Sequence, residues 1–570
     1  MADARYIQVI LPLKLEWEPY YRLPEGIDVQ VGDRVRVRFA GAFYVACVSE
    51  NNAIPSLDVK RILPVEAKEE GLPPISAEEI RFWRAVASYY LCTIGEVYKA
   101  AYPSVHQHKS RLAIPPSEPP KEDIPLTEAQ QKRADAIKKA FADKKTVLLS
   151  GAVGQADIEL SLALETLAKG QSVLLLIPEA RPELEKRIKK IYPSLLVYHS
   201  GVSAAKKKQV AEKLRTGDPC LVLGTRVSLF LPYHKLGLVI VDDEHDSFYK
   251  QDAPAPRYHA RESAIMLAGV HGANVLLASA TPSLESIYNA QCGRFVEVKS
   301  GGEKSSFPRQ KLELINIAAE IRKNGMAGLF SLKLLAAMRE TLQEGKEILL
   351  LGSRRIYEQG KRMEDEVLEY FPEARIANLD LGQPDDEYEI YLGSILGTKS
   401  FRTGKLGLVA IISYDGILSR QDFRADEKAF QVLSQYRNLS PRFVVQTREA
   451  GHPVFRLMAR DVNPVEQMLT ERSIAGYPPY SRLVRLQLKD TNANRLSMMS
   501  RDLAAIVANT GVRFEGPYTP VQDAESREIR VILPRDRELV KRKAAMAQAI
   551  TAFEQDRKYS GHIVIDVDPV

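Results

Sequence analysis

The sequence predicts two parallel α/β units in tandem, with a small β domain before them and an α+β domain after them. Three observations carry this. Short apolar runs at 146–149, 172–177, 220–223, 236–242 and 274–278 have helical stretches between most of them. A second set of the same kind begins at 347–351 and continues through 375–379 and 406–412. Continuous apolar strands alternating with helices indicate a parallel sheet covered on both faces. The third is the strong period-two alternation near the N-terminus, which has no counterpart in those runs.

A chain of 570 residues is too long for one core and suggests about four domains. Hydrophobic residues make up 45% and charged residues 27%, which excludes global disorder. No run of 18 apolar residues occurs, so no membrane span is predicted. The opening residues Met1 to Tyr6 lack the charged and apolar regions of a leader, so a cytoplasmic, nucleoid-associated location is expected. Cys47, Cys92, Cys220 and Cys292 lie far apart with no Cys-x-x-Cys pair. That spacing supports neither a zinc site nor a disulfide framework, and four reduced, mostly buried thiols are expected. The net charge of +6 is compatible with nucleic acid without demanding it.

Residues 1–65 read as the β domain. Val31, Val35, Val37 and Phe39 face one way, while Arg34, Arg36 and Arg38 share the other face. Like charges stacked on one strand face need solvent or an anion, and both a solvated outer face and a phosphate backbone satisfy that. In residues 66–125, Ser76 and Glu79 have capping-box spacing. Ile80, Trp83, Ala87 and Tyr90 follow at helical spacing, and a second helix is predicted near 94–101. A winged-helix-like module and a plain helical core are equal readings. The proline-rich stretch 114–120 is a linker. The two α/β units then occupy 126–300 and 301–475. From 476 to 570 the pattern is α+β, with strands predicted at 482–488, 528–533 and 562–567.

One loop carries recognisable chemistry. Gly151, Ala152, Val153, Gly154, Gln155, Ala156, Asp157 and Ile158 stand between the strand at 146–149 and a helix. A phosphate-binding loop at that place uses glycines to bring backbone N–H groups around phosphates, a lysine to neutralise them and a Ser/Thr hydroxyl to hold Mg²⁺.

Beyond it come Leu223 to Pro232 (L-G-T-R-V-S-L-F-L-P), Val241 to Gln251 (V-D-D-E-H-D-S-F-Y-K-Q), Pro256 to Arg261 (P-R-Y-H-A-R) and Ser279 to Ser283 (S-A-T-P-S). This ordered string resembles the PriA family of replication-restart helicases (primosomal protein N-prime). Asp422 to Ala425 with Glu427 and Gln431 is similar to a signature of the family's second lobe. Tyr477 to Tyr480 and Ile565 to Pro569 are similar to the start and finish of its C-terminal domain. The resemblance implies two RecA-like lobes of the superfamily 2 helicase type, a DNA-binding N-terminal domain and a monomer. It places Gln130 where a glutamine reads adenine. Asp242 falls at the metal-linked position, with Asp243, Glu244 and His245 completing the acidic box. Arg442 falls at a second arginine-finger position.

Against that pattern Gly151 and Gly154 remain, but Ala156 replaces glycine, Asp157 lysine and Ile158 threonine. Asp243 replaces the glutamate expected to orient water. Leu439 takes the first arginine-finger place, and Gly397 to Gly404 departs from a lobe-two motif. One like-charge pair at about 4 Å costs roughly 4 kcal/mol at an effective dielectric near 20, so Asp157 opposes a triphosphate. Leu351 to Arg355 runs within a few residues into Gly360 to Glu366, which leaves no room for the family's two-zinc insertion. Its nascent-strand pattern maps onto Pro19 to Pro24, where Tyr21 and Pro24 fit and Pro19 and Tyr20 depart. Tyr20 or Trp17 could stack on a base or belong to the core.

The expected function is therefore a non-catalytic fork-binding or scaffold protein of replication restart. Its partners would be forked or single-stranded DNA and other restart proteins, and no ATP, Mg²⁺ or zinc is expected. The alternative is an active ATP-dependent 3′→5′ DNA helicase with unconventional motifs. A protein-interaction platform without DNA is a third reading.

Overall fold

The computed structural model describes residues 5–103, 117–121, 123–151, 155–299, 312–352, 363–381, 387–395, 404–419, 422–437, 439–458, 463–520, 523–556, 559 and 563–569. Gly154, the 397–403 segment and the 353–362 junction, all singled out in the sequence, lie outside the described residues. The chain forms two compact units. One holds 1–150, 154–299 and 475–570, and the other 300–474 with 151–153. Four of the five expected segments thus share one unit.

In the first unit a seven-stranded sheet runs in the order Phe295–Lys299, Thr146–Ser150, Asn274–Ser279, Leu236–Val241, Ser172–Leu176, Leu221–Gly224, Leu196–Tyr198. Every pairing is parallel. Separate hydrophobic clusters contain alternate residues of its central strands, such as Leu148, Leu174 and Val239 against Val147, Leu149 and Ile240. The five strands expected here all form. Phe295–Lys299 and Leu196–Tyr198 were not legible because they are half-buried edge strands, the first interrupted by Glu297 and the second only three residues long.

The second unit holds a six-stranded parallel sheet, ordered Leu312–Asn316, Arg442–Thr447, Leu406–Ile411, Glu347–Gly352, Ile390–Ser394, Ile376–Asn378. The C-terminal domain is a four-stranded antiparallel sheet, Arg513–Tyr518, Ser526–Pro534, Ser481–Lys489, Ile563–Val567. Helices Ala493–Asn509 and Leu539–Gln555 pack in this domain. Among the described residues no helix is long and apolar enough to cross a membrane.

The β domain is a five-stranded antiparallel sheet, Tyr20–Arg22, Tyr6–Ile10, Ala42–Asn51, Arg34–Phe39, Ala67–Lys68. It extends past residue 65 because Ala67–Lys68 pairs with Val35 and Arg36. Ser76 and Glu79 form the expected reciprocal cap of helix Ala77–Tyr90, whose Ile80, Trp83, Ala87 and Tyr90 are buried. Helix Ile94–Ala101 follows. No further strand among the described residues of 66–103 makes a wing. Close approach fixes the docking: a Cβ on Gly32 would lie 2.0 Å from the Ile75 carbonyl oxygen, and one on Gly95 2.1 Å from that of Leu13.

Two expectations fail here. Val31 is exposed, since it precedes the strand. Arg34 is not part of a solvent-facing stripe but is 2% exposed. Tyr102, just past the second helix, covers it, with the guanidinium 4.1 Å from the ring centroid. The Tyr102 hydroxyl donates to Glu79 at 2.6 Å and accepts from Arg215 at 3.2 Å. A cation over a desolvated ring contributes about 2 kcal/mol or more, so this stack joins the β domain, the helical pair and the first α/β sheet. All four cysteines are free, as expected; Cys47 and Cys220 are buried and Cys92 partly so, and only Cys292 departs from the expectation by being exposed.

Arg34→Ala should therefore lower the urea-unfolding free energy by about 2 kcal/mol or more, whereas Arg36→Ala, which loses only an exposed pair with Glu69, should change it by less than about 1 kcal/mol. Equal effects would show that Arg34 is not a core residue.

Candidate functional site

Ligands of parallel sheets sit at the carboxyl ends of the strands, and there the structure gathers most of the expected nucleotide residues. Strand Thr146–Ser150 ends at Gly151, whose φ of +121° suits glycine. Helix Gln155–Ala168 then begins. Gln155 donates to the Leu149 carbonyl at 3.3 Å, tying the start of the helix to the preceding strand. Ala156 is partly buried and offers no polar group. Ile158 is fully buried in the hydrophobic cluster behind the sheet.

Asp157 lies in the first helical turn, where the helix dipole favours an anion. Its carboxylate accepts from the Gln130 amide at 3.1 Å and pairs with Arg187. The Gln130 side-chain oxygen in turn caps its own helix by accepting from the Thr127 backbone N–H at 2.8 Å.

Strand Leu236–Val241 delivers Asp242 and Asp243, the latter at φ +48°. Arg181 forks over both: Nη1 donates to Asp242 at 2.7 Å and Nη2 to Asp243 at 2.5 Å. Burial pulls the Arg181 pKa down, but the two carboxylates outweigh it and hold it above its usual value. Glu159, 3% exposed, lies behind them. Burial, then Asp242 and Asp243, keep its carboxyl well above the ordinary range.

Glu244 and His245 face other tasks. Glu244 is fully buried and accepts from the Ser283 N–H (2.7 Å), the Ser283 and Ser286 hydroxyls (2.9 Å each) and Arg261 (2.8 Å). A carboxylate so enclosed is a structural anchor, which corrects its grouping with catalytic positions. His245 Nδ1 lies 2.7 Å from the Ser279 hydroxyl and Nε2 3.4 Å from that of Thr281, tying the acidic box to the Ser279–Thr281 turn.

Arg442, in the second unit, opens strand Arg442–Thr447 and so stands at the amino end of its sheet. Its guanidinium is engaged by Glu313 (2.8 and 3.0 Å) and Glu340 (2.9 Å).

On the β domain, Arg36 and Arg38 are exposed on one face of strand Arg34–Phe39. Phe43, 61% exposed, pairs across from Arg38, whose guanidinium lies 5.9 Å from its ring centroid. Tyr21 belongs to the core, its hydroxyl donating to the Arg38 carbonyl at 3.0 Å. Tyr20 is half-buried on an edge strand. Trp17 is 52% exposed, its ring 6.2 Å from Phe39, so the core reading fails for it.

Sequence reasoning missed Arg181, Arg187, Glu159 and Phe43. Arg181 follows the carboxyl end of a predicted strand, which was the available signal. Its partners 61 and 62 residues onward left none.

The clamp sets a pH dependence. Burial, reinforced by Asp243 and opposed by Arg181, pushes Asp242 up to about 6. A carboxyl raised this way adds stability that is fully present below its unfolded pKa and is lost as pH rises through about 6. Between pH 4 and 7 the urea midpoint of the wild type should fall more steeply with rising pH than that of Asp242→Asn. Parallel slopes would show that Asp242 titrates as in water.

Comparison with known proteins agrees with this layout. Residues 8–103 match the 3′ DNA-binding domain of PriA, and residues 473–570 match the primosomal protein N C-terminal domain. The replication restart protein PriA of Rickettsia conorii is 24% identical over 600 residues, covering 90% of this chain and 91% of its own. Those of Bacillus subtilis and Haemophilus influenzae are 25% and 26% identical, over 83% and 74% of this chain and 69% of each relative. With both terminal domains matched and such relatives spanning the α/β sheets between them, the chain belongs to the PriA family.

Proposed function

We propose that this PriA-family DNA-binding protein of replication restart is non-catalytic, holding forked or single-stranded DNA without ATP turnover. The observation that carries the reading is the Asp157 carboxylate in the first turn of helix Gln155–Ala168, paired with Arg187 and hydrogen-bonded by Gln130. The residues present do not fit magnesium triphosphate. An anion replaces the required cation, a buried isoleucine replaces the metal-binding hydroxyl, and Arg181 already bridges Asp242 and Asp243. Each defect removes binding energy that phosphoryl-transfer sites obtain from positioning and charge.

DNA binding is supported by the match of residues 8–103 to a 3′ DNA-binding domain. The exposed Arg36, Arg38 and Phe43 combine cations with a stacking ring, the pairing that single-strand binders use. Trp17 offers a second exposed ring.

Two measurements test this. Purified protein with forked DNA should show no DNA-stimulated ATP hydrolysis, and Asp157→Lys alone should not create it; turnover in the wild type would select the helicase alternative. Binding to the fork should be unaffected by ATP. Arg36→Ala/Arg38→Ala should weaken it and reduce the slope of log affinity against log salt by about 1.4 to 1.8. Phe43→Ala should cost about 1–3 kcal/mol. Unchanged affinity in both variants would remove this face from the interface.

A further inference from the structure

We propose that Arg181 is a resident counter-cation, a side chain doing permanently what a divalent metal ion would do between Asp242 and Asp243. The inference rests on the non-catalytic reading and goes beyond it by naming what fills the site.

Asp242 and Asp243 are adjacent in sequence and only partly exposed, and both interact electrostatically with the buried Glu159. Carboxylates brought together this way repel by roughly 4 kcal/mol per pair at about 4 Å and an effective dielectric near 20. A divalent ion, a proton or a fixed cation can relieve that. Arg181 presents one nitrogen to one oxygen of each carboxylate, at 2.7 and 2.5 Å, a bridging geometry that suits the planar guanidinium fork and not a point charge. The helix carrying Arg187, Pro182–Ile191, starts at the next residue, so the arginine is anchored where the chain leaves the sheet. Glu159 supplies a second sign that the cluster was not built around Arg181 alone. Its Oε1 is buried without a hydrogen-bond partner, although the side chain is 3% exposed. Taking Arg181 away would leave a pocket of three acids open to a divalent ion.

The test uses full-length protein, with Mn²⁺ as the probe. Wild-type melting temperature should be the same in EDTA and in millimolar Mn²⁺. Arg181→Ala should melt lower in EDTA and regain much of the loss in Mn²⁺, with a Mn²⁺ affinity by electron paramagnetic resonance about tenfold or more above wild type. Adding Asp242→Asn and Asp243→Asn should abolish that response. Arg181→Gln, which retains polar packing, gives the same readout if the alanine variant does not fold. Wild type binding Mn²⁺ as tightly as the variants, or folded variants with no gain in Mn²⁺ affinity, would overturn the inference. ATP turnover by the wild type would instead sink the non-catalytic reading, so the two failures are distinguishable.

Discussion

Two neighbouring carboxylates at the end of a buried parallel strand must be neutralised, and the chemistry of the first α/β unit depends on how this is done. Asp242 and Asp243 share the fork of Arg181, while Asp157 draws on Arg187 and Gln130. In a nucleotide-driven enzyme such charges are balanced in part by ligand and metal, and the imbalance between ligand states does work. Here side chains provide the compensation. Strand Thr146–Ser150, Gly151 at positive φ and helix Gln155–Ala168 follow one another at this site, yet the charges there are paired among side chains.

Around that site the first unit is held by buried polar contacts between segments distant in sequence. Lys250, which follows the acidic box, pairs with Asp566 at 2.7 Å, both side chains 2% exposed, and donates to the Val567 carbonyl at 2.7 Å. Asp566 also accepts from Arg485 at 2.8 Å. Tyr90 donates to the His259 carbonyl at 3.2 Å and accepts from the His259 N–H at 2.9 Å. Removing one partner of such a pair leaves a desolvated charge or an unmet donor, so terminal domains and sheet are coupled elements.

Much of this was legible in sequence where a single physical rule dominates. The central strands are continuous apolar runs, and the Ser76/Glu79 cap formed as its spacing requires. Asp157 and Ile158 were readable because position alone assigns their chemistry. What stayed hidden depends on tertiary neighbours. Arg34 alternates with Arg36 and Arg38 like a surface residue, and only the approach of Tyr102 buries it. Glu244 looks like part of an acidic box, but its partners Arg261, Ser283 and Ser286 come from segments no local pattern connects to it. Arg442 was placed by loose alignment, and its strand-opening position beside Glu313 follows from the pairing of Leu312–Asn316 with Arg442–Thr447.

The central claim is that this PriA-family body has lost its grip on triphosphate. Titrating the full-length protein into fluorescent ATP with Mg²⁺, with and without forked DNA, tests it most directly. The account predicts no saturable binding under either condition. Saturable, magnesium-dependent binding displaced by ADP would contradict it.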